Sequence, residues 1–257
     1  VKWLRLVGVS WLLRLKAASR SAFDGLLMVV WPLFYVTTVL LLYRSGPDRG
    51  RVLAAAVVGS SVMALWSAVS TTAAYALQTE RRQRTLELLT VAPAPFALVM
   101  FPVALAMATV GLFNVAFTLL WGRLVFGVAL VIARPGPFAA GILVTCLAVG
   151  MLGYLESLAS VRYRSAWALG NALELPIWLI CGFLVPLSLM PGWLRPVAWA
   201  LAPTWGMDAI RAAVNGGPVA ADLGVCLALV AGYALIGLAL SRWLLTSARV
   251  HASLTLS

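Results

Sequence analysis

Six stretches of about 20 apolar residues, at 23–43, 52–78, 96–121, 137–159, 166–187 and 223–245, fill most of this 257-residue chain. An α-helix rises about 1.5 Å per residue, so about 20 residues cross a hydrocarbon layer about 30 Å thick. Lipid offers no partner to a backbone N–H or C=O, and a helix satisfies these groups within one segment. Each stretch therefore predicts a transmembrane helix, with ends uncertain by a few residues. Hydrophobic residues make up 63% of the chain and charged ones 11%, which leaves no room for a sizeable soluble domain. The expected fold is an all-α integral membrane protein, a single transmembrane domain over 1–257.

A net charge of +11 would point to nucleic acid in a soluble protein. Here the basic residues flank apolar spans, which is the pattern of membrane topology, and no nucleic-acid partner is expected. Of the 19 Lys and Arg residues, 12 fall in the N-terminal segment, the 79–95 and 160–165 loops and the C-terminal end. The other seven fall in the loops at 44–51, 122–136 and 188–222. Positive residues favour the cytoplasm, so the reading is a multi-pass protein of the cell membrane with both termini cytoplasmic, although Arg44, Arg49 and Arg51 run against the bias. Cys146, Cys181 and Cys226 each lie inside an apolar run, without a C-x-x-C pair. They are expected as small core residues, neither a disulfide framework nor a zinc site.

The segment 1–22 is of another kind. On a helical wheel Trp3, Leu4, Val7, Trp11 and Leu15 fall on one side, while Lys2, Arg5, Lys16 and Arg20 gather opposite. This predicts an amphipathic helix lying in the membrane interface against lipid, with packing on a partner subunit as the alternative. Arg14 interrupts its apolar face, and that interruption disfavours a signal peptide.

Residues 188–222 are too apolar for a solvated loop, yet Pro191, Pro196 and Pro203 break any continuous span. Short re-entrant helices are predicted instead, with Trp193, Trp199 and Trp205 suited to interfacial depth, before Gly216-Gly217-Pro218 resets the chain. In the last span Gly224, Ala228 and Gly232 recur every four residues, and helix packing within the monomer is expected there ahead of a subunit interface.

Polar residues inside the spans are the next source of function. An intramembrane carboxylate costs on the order of 3 kcal/mol by insertion scales, so it faces a partner or an aqueous route. Glu156 stands near Arg162 and Arg164, which predicts a salt bridge or snorkelling at the interface. Glu174 lies deeper, with Asn171 one turn before it and Pro176 just after, where the helical ladder is weakened. It is a candidate for a transport path, with a structural hydrogen bond as the alternative. Asn114 in the third span is read as a helix-packing or cargo-contacting group, and Asp24 as a partner for a basic residue of the N-terminal helix.

Chemistry is densest between the second and third spans, at Glu80, Arg81, Arg82, Gln83, Arg84, Thr85, Leu86 and Glu87. Glu80 and Arg84 are four apart, as are Gln83 and Glu87, so a short helix over 80–92 is supported by its own side-chain pairs, and Pro93 and Pro95 end it. The run E-R-R-Q-R-T-L-E-L-L-T-V-A-P at 80–93 resembles the cytoplasmic coupling helix of type-2 ABC exporter permeases, whose pattern reads approximately E-x-x-x-G-T-L-E-x-L-x-x-x-P. M-P-G-W-L-R-P-V-A-W-A-L-A-P at 190–203, followed by Asp208-Ala-Ile-Arg211, is similar to that family's extracellular helical hairpin before the last span. Arg84 stands where the family commonly has Gly; it favours continued helix and adds charge.

The resemblance implies a transmembrane subunit of an ATP-driven exporter. Two permease subunits, identical or related, would form the body in membrane lipid, and two separate ABC ATPase subunits would grip the 80–87 helix. ATP and Mg would sit on those ATPases. A P-loop needs a lysine after a glycine-rich turn, and the only lysines here are Lys2 and Lys16, so no cofactor site and no catalytic residue is expected in this chain. An integral membrane enzyme and a secondary transporter or channel are the alternatives. The first lacks an assembled acid–base or nucleophile set, the single His251 lying in the tail. The second predicts broken midplane helices in both halves, whereas the breaks here concentrate in the second half.

Overall fold

The computed structural model describes residues 8–13, 15–16, 22–43, 49–82, 96–162 and 166–251. Among them the regular elements are all helical. The long helices are α1 (Ala22–Tyr43), α2 (Arg49–Arg82), α3 (Phe96–Phe126), α4 (Pro135–Arg162), α5 (Ala166–Ile180) and, at the end of the chain, α8 (Ala220–His251). Between α5 and α8 come two single 3₁₀ turns, Leu187–Leu189 and Gly192–Leu194, then α6 (Arg195–Trp199) and α7 (Ala202–Asn215). Each apolar stretch of the sequence thus holds one helix. Among the described residues, four helices contain windows long and apolar enough to cross a membrane, Val52–Val69, Ala106–Phe126, Pro135–Glu156 and Ala220–Trp243, and the 22-residue α1 includes the apolar run Pro32–Tyr43.

Helix α2 is the centre of the bundle. It packs along α3 and α4 and against α1, while α8 lies at the periphery against α4 and α7. The main core is formed by Val58, Val62, Leu65 and Val69 of α2, Val115 of α3, Val149 of α4, and Met207 and Ile210 of α7. Such a core has no hydrophobic drive relative to lipid tails; it is held by close packing and hydrogen bonds between helices. The exposed Leu26, Phe34, Leu42, Phe113, Leu124, Leu147, Leu235 and Ile236 are the complementary lipid-facing set.

The fifth span departs from its expected limits. Drawn over 166–187, it ends as a helix at Ile180, and its 15 residues are about 22 Å long, short of a full crossing. Gly182 takes the left-handed conformation, φ +76°, and the Gly182 N–H reaches the Leu179 carbonyl at 2.9 Å while the Phe183 N–H reaches that of Trp178 at 3.0 Å. This pair of bonds is the Schellman ending, which only a residue tolerant of positive φ allows cheaply. Residues 183–187 are apolar, so composition alone ran the span onward. The expected short helices of the 188–222 region are present, and Gly216, at φ +80°, closes α7 with a bond from the Gly217 N–H to the Ala212 carbonyl at 2.7 Å.

The described part of the N-terminal segment is helical at 8–13 and 15–16. Trp11 and Leu15 of its apolar face pack onto the main core, and the Trp11 indole N–H donates to Thr109 Oγ1 of α3 at 3.2 Å. The bundle of the same chain therefore takes these two side chains, where lipid or a partner subunit was expected, and Val9, Leu12 and Leu13 are the exposed apolar residues. The small-residue face of the last helix also differs from expectation: nothing lies within 4 Å of a Cβ at Gly224 or Gly232. Instead Gly237 admits Tyr154 of α4, whose ring would stand 2.7 Å from an added Cβ. All three cysteines are free and buried, as expected of small core residues.

Closest of all is the approach of Gly59, in mid-α2, to the turn after α5, where an added Cβ would overlap the Phe183 carbonyl oxygen. Backbone on both sides leaves nothing flexible to move aside. Gly59→Ala is expected to lower stability by about 1–3 kcal/mol. Gly150→Ala, with open space around its Cβ, should be neutral or stabilising by up to about 1 kcal/mol. Thermal unfolding of the two variants in mild detergent checks the difference.

Candidate functional site

The polar residues singled out in the sequence are distributed as follows. Glu80, Arg81 and Arg82 are the last turn of α2, continuous with the span before them. Gln83, Arg84, Thr85, Leu86 and Glu87, and with them most of the predicted 80–92 helix, lie outside the described residues, as do Lys2, Arg5 and Arg20. Lys16 is exposed on the N-terminal helical segment. Asn114 is buried in α3, Glu156 is half-buried towards the end of α4, and Asn171 lies on α5 three residues before Glu174, its side chain outside the described set, as is that of Asp24.

Glu174 is the residue around which a site forms. It projects from the middle of α5, and the Ser67 hydroxyl of α2 donates to its Oε1. Ser67 also engages the hydroxyl of Tyr35 from α1, so three helices converge on one carboxylate. One turn beyond Glu174 on the same face stands Trp178, 2% exposed, whose ring meets that of Tyr35 edge-on at 4.9 Å and 77°. The indole N–H of Trp178 has no hydrogen-bond partner. Among the described residues no cationic side chain pairs with Glu174.

Magnitudes decide what this carboxylate is for. A charge placed in a span costs about 2.5–3.5 kcal/mol on insertion scales, while a hydrogen bond between membrane helices contributes about 0.6 kcal/mol on average. The Ser67 bond therefore offsets a minor part of the cost of keeping Glu174 where it is, and Asn114 and Glu156 supply no bond to it. Sequence alone flagged Glu174 through its charge. It did not single out Ser67, one of several serines in α2, nor Tyr35 and Trp178; the four-residue spacing of Glu174 and Trp178 was the one available signal.

A second polar centre closes the other end of α5. The guanidinium of Arg211, on α7, donates through Nη2 to the Gly182 carbonyl, and its Nη1 stands 3.8 Å from Asp208 Oδ1. Burial pushes the Arg211 guanidinium down and Asp208 acts in the opposite sense. The Asp208 carboxyl is pushed up by its own burial, against the pull of Arg211, with Asp222 raising it further. Nearby, Tyr233 of α8 accepts from the Ala202 N–H at 3.1 Å and donates to the Ala200 carbonyl at 2.6 Å, and the Trp205 indole donates to the Trp199 carbonyl at 2.9 Å. Both ends of the α6–α7 hairpin are thus tied, one to α8 and the other to the end of α5.

The described residues thus form a helical bundle with a polar three-helix junction and a tied hairpin before its last helix. The family model for the ABC-2 type transporter matches residues 6–215, and this chain belongs to that family. It is accordingly the transmembrane component of an ABC transporter, an integral membrane protein that works with ABC ATPase subunits. No curated protein matches the chain significantly.

Arg211 and Asp208 differ sharply in what their loss should do. Arg211→Met removes the charged donor to a buried carbonyl and is expected to destabilise by about 1.5–3 kcal/mol. Asp208→Asn weakens a partly exposed ion pair at 3.8 Å and should cost less than about 1 kcal/mol. Thermal unfolding of each variant in detergent gives the comparison.

Proposed function

We propose that this chain forms half of the membrane body of an ATP-driven exporter, paired with a second permease subunit, identical or related. Its cargo is an amphipathic or lipid-like molecule taken from the cytoplasm or inner leaflet. Two ATPase subunits dock from the cytoplasm on the helix at 80–92, and ATP and Mg belong to them; this chain binds no nucleotide and hydrolyses none. The observation that carries the reading is the family match over 6–215, which contains both the 80–93 motif and the 190–211 motif.

The shape of α2 supports the role given to its end. Its 34 residues are about 51 Å long, well beyond a hydrocarbon layer. One continuous helix thus joins the bundle core at Val58–Val69 to the Glu80–Arg82 end. Closure of the ATPases would be transmitted along it to Ser67 and, through Ser67, to α5. Glu174, with Asn171 on the same helix and Asn114 and Glu156 on α3 and α4, forms the substrate path, and the basic residues Lys2, Arg5, Lys16 and Arg20 meet anionic lipid beside the cytoplasmic face.

Mild-detergent pull-down of the whole complex, with the mass of every subunit, tests the assembly; a complex without an ATP-binding subunit defeats the proposal. Replacing Arg84 and Glu87 together by Ala should reduce ATPase association or uncouple hydrolysis from transport at least tenfold, because charge-assisted contacts at the docking surface are lost. Normal assembly and coupling in that double variant would reject the docking assignment. Glu174→Gln should lower substrate-stimulated ATPase activity while leaving subunit assembly intact, and unchanged stimulation removes Glu174 from the path.

A further inference from the structure

We infer that the Glu174 junction is a recognition site for a lipophilic organic cation, an amine or quaternary centre carried on an apolar body. The inference rests on the transport reading above and names the class of cargo for that path.

Three observations converge on it. The first is charge: Glu174 stands in the middle of an apolar helix, held by a serine hydroxyl, and among the described residues no Lys or Arg neutralises it. Intramembrane carboxylates of this kind mark ion and substrate pathways or serve as counter-ions to ligands, and a cationic ligand supplies the charge that no described side chain provides. The second is the company it keeps. The Tyr35 and Trp178 rings meet edge-on at 4.9 Å beside the carboxylate, and electron-rich aromatic faces attract ammonium and quaternary cations most strongly where water is excluded. The third is the Trp178 indole N–H, fully buried on the face that carries Glu174 and without an acceptor. It is left for an oxygen on the ligand, as in an amine that also bears a hydroxyl, ether or carbonyl group. An anionic ligand would meet like charge here, and a neutral lipid tail would leave both the carboxylate and the indole unanswered.

The junction is also placed where such a ligand could be moved. Ser67 belongs to α2, the helix that runs on to the 80–82 end, while Glu174 and Trp178 belong to α5, whose outer end is tied by Gly182 to Arg211. A cation entering between Tyr35 and Glu174 competes with the Ser67 hydroxyl for the carboxylate. Occupancy and the α2–α5 contact are thereby linked through a single oxygen pair, and displacement of α2 alters the affinity of the site.

The test uses the complete complex in detergent and three probes: tetraphenylphosphonium, its anionic counterpart tetraphenylborate of nearly the same shape, and the smaller, neutral triphenylphosphine oxide. Binding is measured by equilibrium dialysis without nucleotide, and stimulation of ATP hydrolysis separately. Tetraphenylphosphonium should bind saturably, Glu174→Gln should weaken it by about tenfold or more, and tetraphenylborate should not compete. Tyr35→Phe keeps the ring and should hold affinity within about threefold, whereas Tyr35→Leu should lose about tenfold. Equal binding to the wild type and Glu174→Gln, or equal competition by the borate, overturns the proposal. The two readings fail separately: wild-type ATPase activity with no cation binding removes the cation site and leaves the transporter, whereas saturable, Glu174-dependent binding to a complex lacking ATPase activity keeps the site and removes the exporter.

Discussion

The end of helix α5 is the point on which the rest of the outer structure depends. A helix that stops at Ile180 inside an apolar bundle frees its last carbonyls, and neither lipid nor packed side chains can satisfy them. Two devices do so here. The left-handed Gly182 folds the chain back so that Gly182 and Phe183 donate to Leu179 and Trp178, and Arg211 crosses from α7 to the Gly182 carbonyl. Because the second device comes from the hairpin, the short span and the hairpin are one unit: α7 cannot be moved from its seat on α4 without uncapping α5. Gly59 completes the clamp from the other side, letting the α2 backbone touch the Phe183 carbonyl.

The same helix carries Glu174, the carboxylate assigned to the proposed transport path. A full-length span pinned along its whole face by apolar packing would be costly to shift. α5 contains Pro176, and beside its apolar contacts through Ile177 and Trp178 it is held by polar contacts at Ser67 and Arg211. Polar contacts are directional and can be exchanged for a ligand's, whereas interdigitated side chains cannot.

Much of this was legible in the sequence. Each apolar stretch holds one long helix, because a span in lipid is specified by length and composition, although α5 ends seven residues before its drawn limit, and the prolines of 188–222 fall among short helical pieces. The ABC-2 type transporter family was legible from the two motifs at 80–93 and 190–211. Glu174 was visible as a misplaced charge. Its partners were not, because Ser67 is one of Ser60, Ser61, Ser67 and Ser70 in α2, and only the rotation of α2 against α5 selects among them. The Gly224–Gly232 stripe shows the reverse: small residues permit close approach, but no neighbour within the chain takes the opportunity there, and α4 uses Gly237 instead.

The sequence by itself determined that the chain is a membrane-embedded helical bundle, roughly where its helices begin and end, and that a carboxylate lies within the fifth. These follow from local properties: hydropathy over about 20 residues, proline's missing donor, and the cost of charge in lipid. Only the tertiary structure decided that α5 stops seven residues early, that Arg211 caps it, that the N-terminal Trp11 turns inward to Thr109, and that Tyr35, Ser67 and Trp178 surround Glu174. Each of these joins residues distant in the chain. Their pairing depends on how helices rotate and stack against one another, which no local window of sequence specifies.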